Sequence, residues 1–283
     1  MRITCYLLLL LCLGCREETE ILPDNEPPVV DNVATLRIEN YVNRLFVDLL
    51  GREPLDGELD AEVLALREGD LGTEAREALI VKLQTGTDFV EGDTSYARAY
   101  SQHLYNLCKI RCLEGVSNPV IRGEFIGLAK TPEDSVRLVR VLQIRAELES
   151  ASITLHEAFA RTIYNDVYDR INMNTSNFVE ASFDNLLWRF PTNEEFQAGF
   201  NMVEYEMEES LFGATGSNRD NYVQLMTNDR EMSEGLIIWA YQLSLARRPT
   251  TAETTALLDD FHQHRDLRLV QRTIMVTDEY AGF

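Results

Sequence analysis

From Leu36 onward, apolar residues return at helical spacing, and that period limits the fold more than any other feature of the chain. In Tyr41-Val42-x-x-Leu45-Phe46-x-x-Leu49-Leu50 the i, i+3, i+4, i+7, i+8 pattern is complete, which is the stripe one face of a helix turns to a core. Comparable runs cover 75–83, 96–108, 135–148, 153–171, 178–187, 221–226, 235–245, 252–262 and 267–276. Strict alternation over strand lengths is scarce, and no hairpin dipeptide stands between β-branched runs. With 283 residues, 45% of them hydrophobic, the chain is long and apolar enough to bury a core. The expectation is an all-α fold.

Helix starts are marked as well. Thr192-Asn193-Glu194-Glu195 and Thr250-Thr251-Ala252-Glu253 read as capping boxes, in which a Thr oxygen and a Glu three residues on satisfy free N–H groups. Thr131-Pro132-Glu133-Asp134 puts Pro at the first helical position and acids in the first turn.

Three segments align without gaps. They are Phe46-x3-Leu50-Gly51-Arg52-Glu53-Pro54-x3-Glu58, Phe183-x3-Leu187-Trp188-Arg189-Phe190-Pro191-x3-Glu195 and Tyr241-x3-Leu245-Ala246-Arg247-Arg248-Pro249-x3-Glu253. The aromatic and the Leu share a face of a helix that stops before the Pro, because Pro disfavours helix in its predecessor. The Glu then caps the next helix, so each segment reads as a helix–turn–helix corner. Arg52, Arg189 and Arg247 are expected to bond nearby helix-end carbonyls or acids; contact with an anion or a peptide is the functional alternative. A second box follows each corner: Leu83-x5-Phe89-Val90-Glu91-Gly92, Leu225-Met226-x5-Met232-Ser233-Glu234-Gly235, and Ile274-x5-Tyr280-Ala281-Gly282. Repeat-like units thus cover about 41–112 and 180–283, with a divergent middle over 113–179 that is an insertion or a degenerate unit.

A corner followed by such a box resembles the helical domains of unknown function found beside cytochrome c-like domains in Planctomycetes. It is also similar to the DUF4214-type helical repeats of secreted bacterial proteins. The resemblance implies an exported, repeat-built helical protein and brings no active-site residue with it.

The N-terminus reads MRITCYLLLLLCLGC. Arg2 is a short positive region, and residues 5–13 are an unbroken apolar run of signal-peptide length, well short of the roughly 20 residues that span a bilayer. The ending Leu11-Cys12-Leu13-Gly14-Cys15 resembles the lipobox of bacterial lipoproteins, although Cys12 stands where Leu is usual. That resemblance implies a signal peptide over 1–14 and lipidation at Cys15. Arg16-Glu17-Glu18-Thr19-Glu20 resembles the surface-export signal of Bacteroidetes lipoproteins. Residues 15–35 are then the lipidated Cys and a disordered acidic, Pro-containing tether, and 36–283 the helical domain. The expected address is the outer membrane, lipid-anchored, on its periplasmic or cell-surface face.

The net charge is −21, from 26 Lys+Arg against 47 Asp+Glu. Such a surface repels phosphate backbones, so nucleic acid is not an expected partner. It favours solubility and leaves room for basic partners or weak divalent-cation binding. Asp56-Gly57-Glu58-Leu59-Asp60 has too few correctly spaced ligands for an EF-hand loop. Glu204, Glu206, Glu208 and Glu209 read as an acidic stretch on a helix.

Cys108 and Cys112, at i, i+4 near a helix end, point to a disulfide in an exported protein; two free thiols or a metal pair are the alternatives. The Cys-x2-Cys-His of a c-type haem site is absent. His103, His156, His262 and His264 show no metal-site spacing and read as solvated helix-end residues. Trp188 and Trp239 sit at core spacing. No nucleophile elbow, Walker loop or dinucleotide fingerprint appears, so no catalytic residue, metal site or cofactor is assigned. The expected role is a non-enzymatic helical interaction module or accessory subunit of a cell-envelope complex, partnered by the membrane through its anchor and by other envelope proteins. The alternative is an envelope enzyme or electron-transfer accessory using dispersed acidic residues or a partner's cofactor.

Overall fold

The stripe read at Tyr41 to Leu50 is the buried face of the first helix, α1 (Thr35–Leu50), where Ile38, Tyr41, Val42, Leu45, Phe46 and Leu49 are all sealed from solvent. The structure, a computed structural model, describes residues 33–91 and 94–283. The expected signal peptide, Cys15 and nearly all of the tether lie outside the described residues, as does Gly92. No helix among the described residues is long and apolar enough to cross a membrane.

Thr35–Phe283 forms one compact unit. After α1 come α2 (Asp56–Glu68), α3 (Thr73–Thr85) and α4 (Tyr96–Leu113). The last is the central helix, burying Tyr100, Leu104, Tyr105, Cys108 and Cys112 and packing against both α1 and α3. Glu114 and Gly115 turn left-handed and end it. Residues 118–128 are short irregular helical turns leading into α5 (Pro132–Glu149). As expected, Pro132 opens α5 while Thr131 and Asp134 cap it reciprocally.

The single helical run expected over 153–171 is two helices, α6 (Leu155–Ile163) and α7 (Asp166–Asn172). Asn165 divides them. Its Oδ1 accepts the Val167 and Tyr168 N–H groups at 3.0 and 3.2 Å, and its Nδ2 donates to the Arg161 and Thr162 carbonyls at 2.8 and 2.9 Å. One side chain thus closes one helix and caps the next.

The rest of the chain is α8 (Thr175–Leu187), α9 (Asn193–Tyr205), β1 (Glu209–Leu211), β2 (Ala214–Gly216), α10 (Arg219–Asn228), α11 (Arg230–Leu245), α12 (Thr251–His264), α13 (Leu267–Met275) and α14 (Asp278–Ala281). The acidic stretch at 204–209 is therefore not helical throughout. Helix α9 stops at Tyr205, Glu206 turns left-handed, and Glu209 opens an antiparallel hairpin paired Glu209↔Gly216, Ser210↔Thr215 and Leu211↔Ala214. Phe212 and Gly213 both have positive φ, 54° and 77°, as a two-residue hairpin turn requires. The end of the chain packs on its start. Tyr41 Oη donates to the Met275 carbonyl at 3.2 Å, and Tyr280 Oη donates to Asp48 at 2.8 Å.

Candidate functional site

The corner repeats are three copies of one geometry. Each first helix ends on a left-handed residue, Gly51 (φ 72°), Trp188 (φ 54°) or Ala246 (φ 52°). The next residue is the arginine, which folds back onto the ring six positions earlier. The guanidinium carbon lies 5.3 Å from the Phe46 centroid for Arg52, 5.1 Å from Phe183 for Arg189 and 5.2 Å from Tyr241 for Arg247. Each arginine then forks onto the glutamate six residues on. Arg52 reaches Glu58 at 2.7 and 2.9 Å, Arg189 reaches Glu195 at 2.7 and 2.6 Å, and Arg247 reaches Glu253 at 3.0 and 2.7 Å.

The same glutamate accepts the backbone N–H of the residue after the proline: Leu55 at 2.8 Å, Thr192 at 2.8 Å and Thr250 at 2.6 Å. One carboxylate therefore satisfies a helix N-terminus and an arginine fork at once. The expected bond from arginine to helix-end groups is present in all three corners. Further acids come from later helices: Glu231 accepts from Arg189 at 2.6 Å, and Glu279 accepts from Arg247 at 2.7 Å. At the first corner the Tyr96 hydroxyl donates to Glu58 at 2.8 Å.

These contacts set the acidity of the carboxyls. The Arg189 fork comes first in holding Glu195 down to about 2, and the Arg247 fork does the same for Glu253. Burial pushes Glu58 the other way, but Arg52, the Leu55 N–H and Tyr96 together keep it below its ordinary value. The geometry ties Arg52 to Glu58, Arg189 to Glu195 and Arg247 to Glu253 across the turns at Pro54, Pro191 and Pro249. The second boxes are less alike. Met232 and Tyr280 are buried, whereas Phe89 is 81% exposed, so the first box does not seat its aromatic in the core.

Cys108 and Cys112 are free thiols, both buried, and the expected disulfide is not made. Both lie inside regular helix, where i, i+4 Cβ atoms stand about 5–6 Å apart; a disulfide needs roughly 3.5–4.5 Å. Burial comes first in raising both thiols, Cys112 to about 12.

The histidines are not all solvated helix ends. His156 is sealed in the core, its Nε2 3.1 Å from Ser233 Oγ, which is in turn 3.0 Å from His262 Nδ1. Burial, joined by Arg265 and His262, pushes the His156 imidazole down to about 3. Two imidazoles flanking a serine resemble a nucleophile and its base in composition only, because Ser233 has no exposed surface. The Ser-His spacing in sequence gave no hint of this meeting. Among the described residues, no group of three or more His, Cys, Asp or Glu side chains is placed to hold a metal ion.

A groove of about 440 Å³ lies between α5, α6 and α10. Val136, Ala160 and Val223 give it apolar surface, and Arg137, Arg140 and Arg161 converge on it. Arg137 donates to the Tyr164 hydroxyl at 2.7 Å, and Arg161 is held by Glu147 at 2.6 Å. Arg140 is exposed and makes no ion pair among the described residues. Glu133 and Asp220 stand at the edge. Two walls come from the divergent middle segment, and no motif marked them. No family model, curated protein or solved structure matches the chain.

Proposed function

We propose that the protein is a lipoprotein anchored to the outer membrane through Cys15, where it serves as a non-enzymatic helical binding module and accessory subunit of a cell-envelope complex. The address rests on the sequence, namely the short apolar run, Gly14-Cys15 and the acidic, Pro-containing stretch behind them. The observation that carries the binding role is the groove between α5, α6 and α10. In a chain with 47 acids and 26 basic residues, three arginines converge on one partly apolar hollow. Such a surface takes an acidic partner segment, with Arg140 the cation free to pair with it. The three corners join other helix pairs, α1–α2, α8–α9 and α11–α12.

The test is recovery of partners by the tagged full-length chain from native membranes in mild detergent. The wild type is expected to bring down envelope proteins in stoichiometric amount. Arg140→Glu is expected to reduce that recovery at least tenfold while leaving the helical circular-dichroism signal unchanged. An isolated monomer with no crosslinked partner, or equal recovery by both chains, would sink the reading.

A further inference from the structure

The rings of the three corners differ in what covers them. Phe46 stands edge-on to Tyr96, with centroids 5.9 Å apart and planes at 90°. Phe183 meets Phe212 of the hairpin turn at 6.0 Å. In both corners the second ring comes from a segment outside the corner's own helix pair. Tyr241, the equivalent ring of the third corner, has no ring partner among the described residues. It lines instead an open groove of about 440 Å³ between α12 and α13. Leu257, Leu269 and Val270 share that lining, and Leu269 is 37% exposed.

We propose that this groove is the docking seat for an aromatic side chain supplied by another protein, on a segment that also carries Lys or Arg. The molecule supplies its own precedent for an aromatic. The same ring, guanidinium and glutamate geometry closes twice with a second ring, edge-on at Phe46 and tilted by 50° at Phe183, and aromatic pairs are favourable beyond the area they bury. Among the described residues no segment of the chain does so at the third corner. Only Arg265 and Asp266 join α12 to α13, whereas the corresponding link from α9 to α10 holds the hairpin that carries Phe212. The volume is within the roughly 300–1,000 Å³ usual for ligand sites, room for one ring and its flanking groups.

The charged side chains lining the groove are Glu253 and Asp260, both acids. Arg247 beside it is already shared between Glu253 and Glu279. An acidic rim draws a cationic segment and turns away an acidic one. A second copy of this chain, at −21, meets the same rim with the wrong sign. The seat shares no lining residue with the arginine groove, so it is a second contact of opposite charge preference.

The test places a photo-crosslinking phenylalanine analogue at position 257 in the full-length chain, irradiates intact native membranes, and maps the adduct by mass spectrometry. Exposed Leu64 on α2 is the control position. The expected result is an adduct at 257, absent at 64, on a segment of another protein with Phe, Tyr or Trp beside Lys or Arg. Ala256→Trp, an exposed position on the groove wall, fills the seat from within and is expected to cut the adduct at least tenfold. Its thermal melt is expected to match the parent's. No adduct above control, an adduct on a second copy, a captured segment without an aromatic, or an adduct that survives Ala256→Trp would each overturn the proposal. The arginine groove is read separately through Arg140→Glu, so failure of one contact is distinguishable from failure of the other.

Discussion

Arg52, Arg189 and Arg247 each bind a ring, a carbonyl and a carboxylate, and Arg189 and Arg247 each also hold a second carboxylate. Replacing Arg189 by Ala strips the fork from Glu195 and Glu231 together. The expected loss is about 1–2 kcal/mol, discounted for the partial exposure of the pair, and equilibrium urea unfolding measures it. The left-handed residue before each arginine is a second lever. Gly51→Ala forces a side chain into positive φ and sets its Cβ 2.4 Å from His103 Nδ1, so a loss of about 1–3 kcal/mol is expected. Ala246→Gly relieves the same backbone conformation at an exposed site and is expected to stabilise by about 1 kcal/mol.

Acid acts on the same groups. The folded-state values of Glu195 and Glu253 are depressed to about 2, so between the ordinary value of 4.5 and about 2 the unfolded chain binds more protons. Their stabilisation is present above pH 4.5 and is lost as pH falls through that window. His156, held down to about 3 from 6.5, adds a loss with the same sign that begins higher, as pH drops below 6.5. Urea midpoints across pH 7 to 3 are expected to fall throughout. His156→Gln is expected to flatten the part between pH 6.5 and 4.5, and an unchanged slope there would remove His156 from the account.

At the scale of elements, Asn165 decides that the middle segment has two helices. Asn165→Ala removes four side chain–backbone bonds, three of them buried, with an expected cost of about 1–2 kcal/mol by the same unfolding measurement. Its role is hard to read from sequence, since the apolar period runs unbroken across 153–171. The hairpin was hidden for a similar reason. Phe212-Gly213 lacks the usual Asn-Gly or Asp-Gly signature, and its acidic neighbours look helical. The corners were legible to the residue, because aromatic, Leu, Arg, Pro and Glu keep fixed offsets that only one local geometry satisfies. The arginine groove was not, because Arg137, Arg161 and Asp220 lie on separate helices and meet only through tertiary packing.

At the scale of the whole molecule, the helical unit closes Tyr280 onto Asp48 and buries both cysteines in α4. Alkylation of the native protein, mapped by mass, is expected to leave Cys108 and Cys112 unmodified until denaturant is added, because both thiols are buried and raised. Rapid native labelling at either position would show that α4 opens. In the role we propose, the acidic surface and the two grooves of opposite charge preference would serve a subunit that bridges others at a membrane. That account depends on the anchor.

Its most direct test is the intact mass of the chain isolated from native membranes. The account predicts a chain that begins at Cys15, carries the added mass of acyl chains, and leaves the membrane only with detergent. A chain of unmodified mass beginning at another residue and recovered in the aqueous fraction would contradict it, and would make a soluble secreted protein the better description.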